Sequence, residues 1–458
     1  MAHILTASIL KDYNTIMKKE FLHIIVALIL SISSRAQCTM TLNDCMLYAL
    51  DNAYEVKIKD AENDILLANK VHSEMNFLPS IGAGVGATAN FGRSIDPETN
   101  TYVDYSSFNN GYSLSAGFNI FDGFSAVNGY RIARNAVRLG VAESQVIKDN
   151  LCLEVMQAFY NFIYYDKMTV LARQQHEEAL TNLTTVEAFE KQGLRSKAEV
   201  AEVAALAAKK EYYLVFMQNN CDKALTSLKQ KMNYPTDDTL TIDTDITIQI
   251  PTTSDDKTDD IFAFAQQNQP SMLVAANNIE TARLRLQSSK WQLLPSLIAY
   301  AGLSTNYITA FTDNYHPAPF MQQINNNRGE YIQLQLSIPI FNNLSRQTNI
   351  RTNKNQLKIA QYQYEQKSRE LKSEIDNAVQ DMNCALKTLI QADKQLEAQN
   401  YAYNLNKKRF EKGLISSLEL QIAGNNKLEA EVELLNSFFT YLIKHKIVEY
   451  YKGTPYVE

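Results

Sequence analysis

Residues 79–232 and 295–452 follow one plan twice in succession. Leu78-Pro79-Ser80 is answered by Leu294-Pro295-Ser296, and Ile120-Phe121-Asp122 by Ile340-Phe341-Asn342. Phe189-Glu190-Lys191 with Gly193-Leu194 is answered by Phe410-Glu411-Lys412 with Gly413-Leu414, and Glu199 by Glu419. Each half therefore runs through a proline, two alternating apolar/polar segments, and two very long helices around a Gly-Leu turn. Self-similarity on this scale makes the repeat the folding unit. We divide the chain into an N-terminal extension and leader (1–36), a first repeat (37–232), a connection (233–258) and a second repeat (259–458).

The alternating segments have period two. Tyr112, Leu114, Ala116, Phe118 and Ile120 oppose Ser113, Ser115, Gly117 and Asn119. Ile81, Ala83, Val85, Ala87, Ala89 and Phe91 alternate with Gly82, Gly84, Gly86, Thr88 and Asn90. In the second half, Ile332, Leu334, Leu336, Ile338 and Ile340 alternate with Tyr331, Gln333, Gln335, Ser337 and Pro339. Residues 297–307 alternate less cleanly. Such segments suit either the edge of a soluble sandwich or the wall of an outer-membrane barrel. The polar face lacks the large apolar side chains that would fill a core. The loops at about 93–110 and 308–328 are long and rich in Asn, Asp, Tyr and Ser. Both features favour the barrel. Four strands leave open edges, which lipid does not tolerate, and known barrels need about eight strands. The chain is therefore expected to share a barrel with copies of itself, and three copies supply about twelve strands.

No proline lies between Pro97 and Pro235, or between Pro339 and Pro455. Within these stretches apolar residues recur every three or four positions, as in Leu371, Ile375, Ala378, Met382, Ala385, Leu389, Ala392 and Leu396. From Asp122 to Gly193 a continuous helix would extend on the order of 100 Å, too long for one compact domain. The seam positions are often Ala, Ser, Asn or Gln, which suits helices packed side by side around a hollow. Asp122 and Asn342 or Asn343 are the expected caps where strand becomes helix, and Gly193 and Gly413 the expected breakers at the far turn. A shorter helix is predicted over 41–78, capped by Thr41, with a counterpart over 259–292. Between the repeats, Thr239–Ile242 and Ile246–Ile250 read as short strands.

Met17-Lys18-Lys19, the apolar run Phe21–Ile32 and Ser34-Arg35-Ala36 form a secretory leader, with Met17 as the expected start. The leader takes four basic residues (Lys11, Lys18, Lys19, Arg35) and two acidic ones (Asp12, Glu20) from totals of 44 and 50. That leaves 40 against 48 and a net charge of −8. An acidic chain is a poor nucleic-acid binder. The cysteines, Cys38, Cys45, Cys152, Cys221 and Cys384, show no C-x-x-C pair, and no disulfide framework is expected. Cys38 lies close to the cleavage point, so its lipidation or pairing with Cys45 stays open. His72, His176, His316 and His445 are scattered without metal spacing, and there is no nucleophile elbow or phosphate loop. The reading is not an enzyme, with no cofactor and no metal.

Taken in this order, the motifs resemble the TolC family of outer-membrane efflux proteins over nearly all of the mature chain, Thr41 to about Lys452. The resemblance implies a mixed α and β membrane protein. Each chain would give four strands to a shared trimeric transmembrane β-barrel, which continues into a long periplasmic α-helical barrel. It further implies a homotrimer acting as a passive exit duct for efflux or type I secretion, coupled to an inner-membrane transporter through a periplasmic adaptor protein. The family's Gly-Leu turns meet the adaptor, which points to Gly193, Leu194 and Ser196 with Gly413, Leu414 and Ser416; a plain hairpin turn is the alternative. Six residues past each tip glycine the family tends to place an acid near the closed entrance. Glu199 and Glu419 hold those positions, and Glu202 lies one turn beyond Glu199; the alternative is a solvated helix face. The second repeat departs from the pattern, with Gln421 and Ile422 where some members carry a further acid. A coiled-coil structural or adhesive envelope protein is the competing function. It accounts for the helices but not for the duplicated strand pairs.

Overall fold

The computed structural model describes residues 39–95, 100–104, 106–244, 257–311 and 317–457. The leader, Cys38, His316 and residues 246–250 of the connection lie outside them. Each repeat opens on two short helices, α1 (Leu42–Asn52) and α2 (Tyr54–Met75) in the first, α5 (Thr258–Asn268) and α6 (Pro270–Trp291) in the second. Strands β1 (Ser80–Asn90) and β4 (Ser107–Phe121) follow in the first repeat, β5 (Ser296–Ala310) and β6 (Gly329–Ser337) in the second. A small hairpin, β2 (Arg93–Ile95) and β3 (Tyr102–Asp104), stands between β1 and β4, and helix α7 (Phe320–Asn326) stands between β5 and β6. The long helices are α3 (Ser125–Lys191) and α4 (Lys197–Met232), then α8 (Ser345–Glu411) and α9 (Ser417–Lys452). α3 and α8 have 67 residues each, α4 and α9 have 36 each, and the short pairs match at 11 and 22. At 1.5 Å per residue, α3 and α8 are about 100 Å long.

The sheet order is β1-β4-β5-β6, antiparallel throughout. The register brings like faces together. Ala83, Leu114, Leu303 and Glu330 form one cross-strand row, and Ala116, Ala301 and Ile332 continue the apolar face. Gly84, Ser113, Ser304 and Gly329 form a row on the other face. Ile81, Val85, Ile332 and Leu334 are 65–86% exposed. At the outer end Phe320 of α7 packs on Tyr112 and Tyr307, and the rest of the apolar face lies open in the single chain. An open apolar face backed by a face of Gly, Ser, Asn, Gln and Tyr is the pattern of a membrane-barrel wall, apolar toward lipid and polar toward a lumen. Three expected positions move. Ile120 falls in a bulge, so that Phe121 pairs with Leu297. Ile338 and Ile340 lie beyond β6, because Pro339 has no amide hydrogen for a ladder bond. No helix among the described residues is long and apolar enough to cross a membrane.

The predicted single helices over 41–78 and 259–292 are each two helices, broken at Ala53 and Gln269, both extended. Pro270, at the first position of α6, explains the second break, since proline cannot continue a helix from its preceding turn. Thr41 caps α1 in a reciprocal box with Asp44. Ile242 makes an isolated parallel bridge to Met40 rather than a strand.

At the junction of sheet and long helix, Gly123 and Phe124 are both left-handed (φ 63° and 61°), as are Asn343 and Leu344 (φ 54° and 60°). A left-handed Phe or Leu is costly by local sterics. Phe124 is held there by Phe121 and Trp291, with ring centroids 5.2 and 5.1 Å away. Asp122 and Asn342 cap from two residues further out than a standard cap. Asp122 Oδ2 accepts from the Ala126 amide at 2.6 Å, and Asn342 Oδ1 from the Arg346 amide at 3.5 Å. The main core joins α1, α3, α4, α5, α8 and α9 through Val155, Ile163, Leu228, Ile375, Leu389 and Phe438. Of the run read from the sequence, Leu371 to Ala392 is buried and Leu396 half-buried.

Candidate functional site

The far ends of α3 and α8 close in the same way. The Leu194 amide donates to Phe189 O at 2.9 Å and the Gly193 amide to Glu190 O at 2.8 Å; Leu414 and Gly413 repeat this on Arg409 O and Phe410 O. This is the paired 6→1 and 5→2 closure that needs a left-handed residue, and Gly193 and Gly413 supply it at φ 73° and 71°. Leu194 and Leu414 are 67% and 66% exposed at the two tips. The helix ends also correct the alignment of the tip motifs. Phe410 occupies the place of Glu190, not of Phe189, because Lys412 stands at the helix C-cap where the first repeat has Gln192, which leaves the two turns equal in length.

Ser196 and Ser416 begin the return helices with reciprocal caps. The Glu199 amide donates to Ser196 Oγ, and the Ser196 amide donates to Glu199 Oε2 at 3.0 Å. Ser416 and Glu419 do the same, with the Ser416 amide 2.8 Å from Glu419 Oε2. Glu199 also accepts from the Arg195 guanidinium at 2.9 Å. These contacts hold both carboxyls below their usual range, the Ser196 amide acting first on Glu199 and the Ser416 amide on Glu419. A carboxyl that binds protons less readily when folded stabilises above its unfolded pKa and loses that contribution as pH falls through the lower folded value. Both caps are therefore intact above the ordinary carboxylate value of 4.5 and fail in more acidic solution. Glu202 is exposed on α4, one turn beyond Glu199.

The tips pack on each other through residues that, Phe410 apart, the sequence reading passed over. Val186, Val203, Phe410 and Ile415 form a buried cluster flanked by Leu183, Val200 and Leu420. Arg195 lies over the Phe410 ring at 5.9 Å. Above the tips a cleft of about 480 Å³ separates the hairpins. Across it Tyr403 donates to Glu178 at 3.0 Å and Lys210 to Asn425 at 3.2 Å, while Lys210 also donates within its own hairpin to Gln175 at 3.2 Å. Burial raises the Tyr403 phenol, and burial with the neighbouring Lys209 lowers Lys210. Ser-x-x-Glu after a glycine was a readable signal for the caps. The inter-hairpin pairs had no signal, because they join residues far apart in sequence.

A four-stranded sheet with an exposed apolar face, set on helices about 100 Å long and repeated within one chain, defines an outer-membrane channel subunit. The family model described as outer membrane efflux protein matches residues 49–233 and 263–437. The chain belongs to the outer membrane efflux protein family. No curated relative matches by sequence. Among solved structures, the outer membrane protein VceC of Vibrio cholerae has a TM-score of 0.73 at 14% identity, covering 91% of this chain and 96% of its own. The outer-membrane channel OprN has 0.74 at 16%, covering 91% and 90%. The CmeC outer membrane channel of Campylobacter jejuni has 0.73 at 16%, covering 90% and 85%. At these identities the likeness shows a shared fold. The chain is an outer-membrane protein with its helices in the periplasm, and it is not an enzyme.

Proposed function

We propose that three copies assemble into an exit duct that is passive itself and draws its energy from an inner-membrane transporter through a periplasmic adaptor, in a tripartite efflux or type I secretion system. The observation that carries this is the sheet: β1 and β6 each leave an edge unpaired, and most of its apolar face, Ile81, Val85, Ile332 and Leu334 among it, is uncovered in the single chain. Edges without partners are not tolerated in lipid. Twelve strands from three copies close the wall and enclose water. The coiled-coil adhesive alternative leaves this sheet without a purpose. The tip residues Gly193, Leu194, Ser196, Gly413, Leu414 and Ser416 are the adaptor seat, supported by two exposed leucines on turns of fixed shape. Native mass measurement in detergent, with cross-linking from Leu194→Cys to envelope proteins, tests both parts. A stable monomer sinks the trimer, and a trimer whose tips cross-link to no periplasmic protein sinks the coupling.

The acids near the tips, Glu199, Glu202 and Glu419, form the gate candidates. Carboxylates gathered in a narrow pore raise the affinity for cations, because a cation relieves their repulsion. Glu199 and Glu419 already serve as caps, which makes the test cleaner: glutamine can take the place of glutamate in a reciprocal cap. Glu199→Gln with Glu419→Gln is expected to weaken cation selectivity and block by divalent cations while the trimer stays assembled. Single-channel recording checks this; unchanged selectivity would reduce both residues to caps.

A further inference from the structure

We infer that the barrel section is a sleeve without fixed charge, its wall smoothed by tyrosines laid flat on glycines, so that it passes solutes of either sign and leaves charge discrimination to the helical section. This rests on the trimeric-barrel reading above and concerns what such a barrel admits. The lumen face of β1, β4, β5 and β6 carries no Asp, Glu, Lys, Arg or His at any described position. Its side chains are Gly, Ser, Thr, Asn, Gln and Tyr with Ile298, Ile308 and Ala310. The sheet's one acid, Glu330, lies in the row of Leu303 on the other face and is bound to Arg328. A wall of neutral hydrogen-bonding groups offers water and solute exchangeable partners without a field that favours one sign.

The glycines have a second role. Tyr331 pairs directly with Gly302, and a Cβ on Gly302 would stand 2.4–2.7 Å from the Tyr331 ring. Tyr300 pairs directly with Gly117 in the same way, its ring 3.4–3.5 Å from where that Cβ would be. Each ring therefore lies across the neighbouring strand and covers its bare backbone, a pairing that compensates for a glycine within a sheet. A ring laid on the wall does not project into the passage. Gly302 is thus a width-determining residue: any side chain there lifts Tyr331 toward the axis, on every subunit of the assembly.

Thiol labelling of reconstituted full-length protein tests this, with the modified peptide identified by mass so that native cysteines do not interfere. Reporters are Ser304→Cys at the outer mouth and Gln333→Cys about 13 Å further in, four residues along the wall. Cationic and anionic methanethiosulfonates of matched size are added from outside at low salt. The cation-to-anion rate ratio is expected to be the same at the two depths. A difference of about tenfold or more, the size that wall charges at close range produce, overturns the neutral sleeve. Ser115→Glu, placed between the reporters, should raise the ratio at Gln333→Cys alone, and an unmoved ratio there also overturns it. Gly302→Ala should slow a bulky reagent at Gln333→Cys, with Tyr331→Ser restoring the rate; an unchanged rate overturns the role given to Gly302. Leu114→Cys separates the two levels of the argument. If it labels from water as fast as Ser115→Cys, the faces are misassigned and the barrel reading itself fails, whatever the ratios.

Discussion

Leu114→Arg and Leu334→Arg are expected to lose assembled trimer from the outer membrane, whereas Ser115→Arg and Gln335→Arg assemble normally. Leu114 and Leu334 lie on the apolar face, paired with Leu303 and Ala299, and are 48% and 65% exposed in the single chain. Arginine on the lipid face near the midplane costs about 2–4 kcal/mol per site, and a trimer carries the site three times. In the proposed trimeric barrel Ser115 and Gln335 face water in the lumen and incur no such cost. The measurement is the fraction of heat-resistant trimer in outer-membrane preparations. Equal loss from both pairs would contradict the assigned faces.

Phe438→Ala is expected to destabilise the helical section by about 3–5 kcal/mol, the usual cost of emptying a phenylalanine site in a packed core. Phe438 is 2% exposed on α9, its ring tilted against that of Phe439, which in turn meets Tyr160 of α3. The cavity would open where the two hairpins meet. The temperature at which trimers come apart should fall and periplasmic proteolysis of the helices should rise, while strand residues keep their protection in hydrogen exchange. A mutant as heat-resistant as the parent would mean that other residues join the hairpins.

The sequence made different parts of this structure legible for different reasons. Long helices show themselves because each residue of the Leu371–Ala392 run is repeated by its own neighbours, and the burial of that run follows the spacing. The faces of β1 and β4 were equally plain, since glycine and serine alternate there with apolar residues. β6 was over-extended because Ile338 and Ile340 keep the alternation after Pro339 has ended the ladder. The break at Ala53 has no local mark, yet its counterpart does: Pro270 stands at the matching place in the second repeat. Comparing the repeats with each other would have revealed it. At the tips glycine announced the turn, while the caps of Ser196 and Ser416, though spelled by Ser-x-x-Glu, went unread because both serines were taken as contact residues. The packing of Arg195, Phe410 and Ile415, and the Tyr403–Glu178 bond, depend on how two hairpins lie side by side, and no spacing along one chain encodes that.

The equal lengths of the paired helices bear on where this protein can change. Helix starts in the two repeats differ by a constant 216 positions up to the first strand, from Leu42 to Thr258 and from Tyr54 to Pro270. They differ by 220 afterwards, from Ser125 to Ser345 and from Lys197 to Ser417. The four-residue difference is confined to the strands and the loops at their outer ends. One residue added to α3 or α8 would turn everything beyond it by about 100° and move its seam off its neighbours. An extra residue beside β2 or α7 turns nothing. Insertions, deletions and grafted tags therefore belong at the cell surface, and the periplasmic shaft holds its length as a fixed gauge.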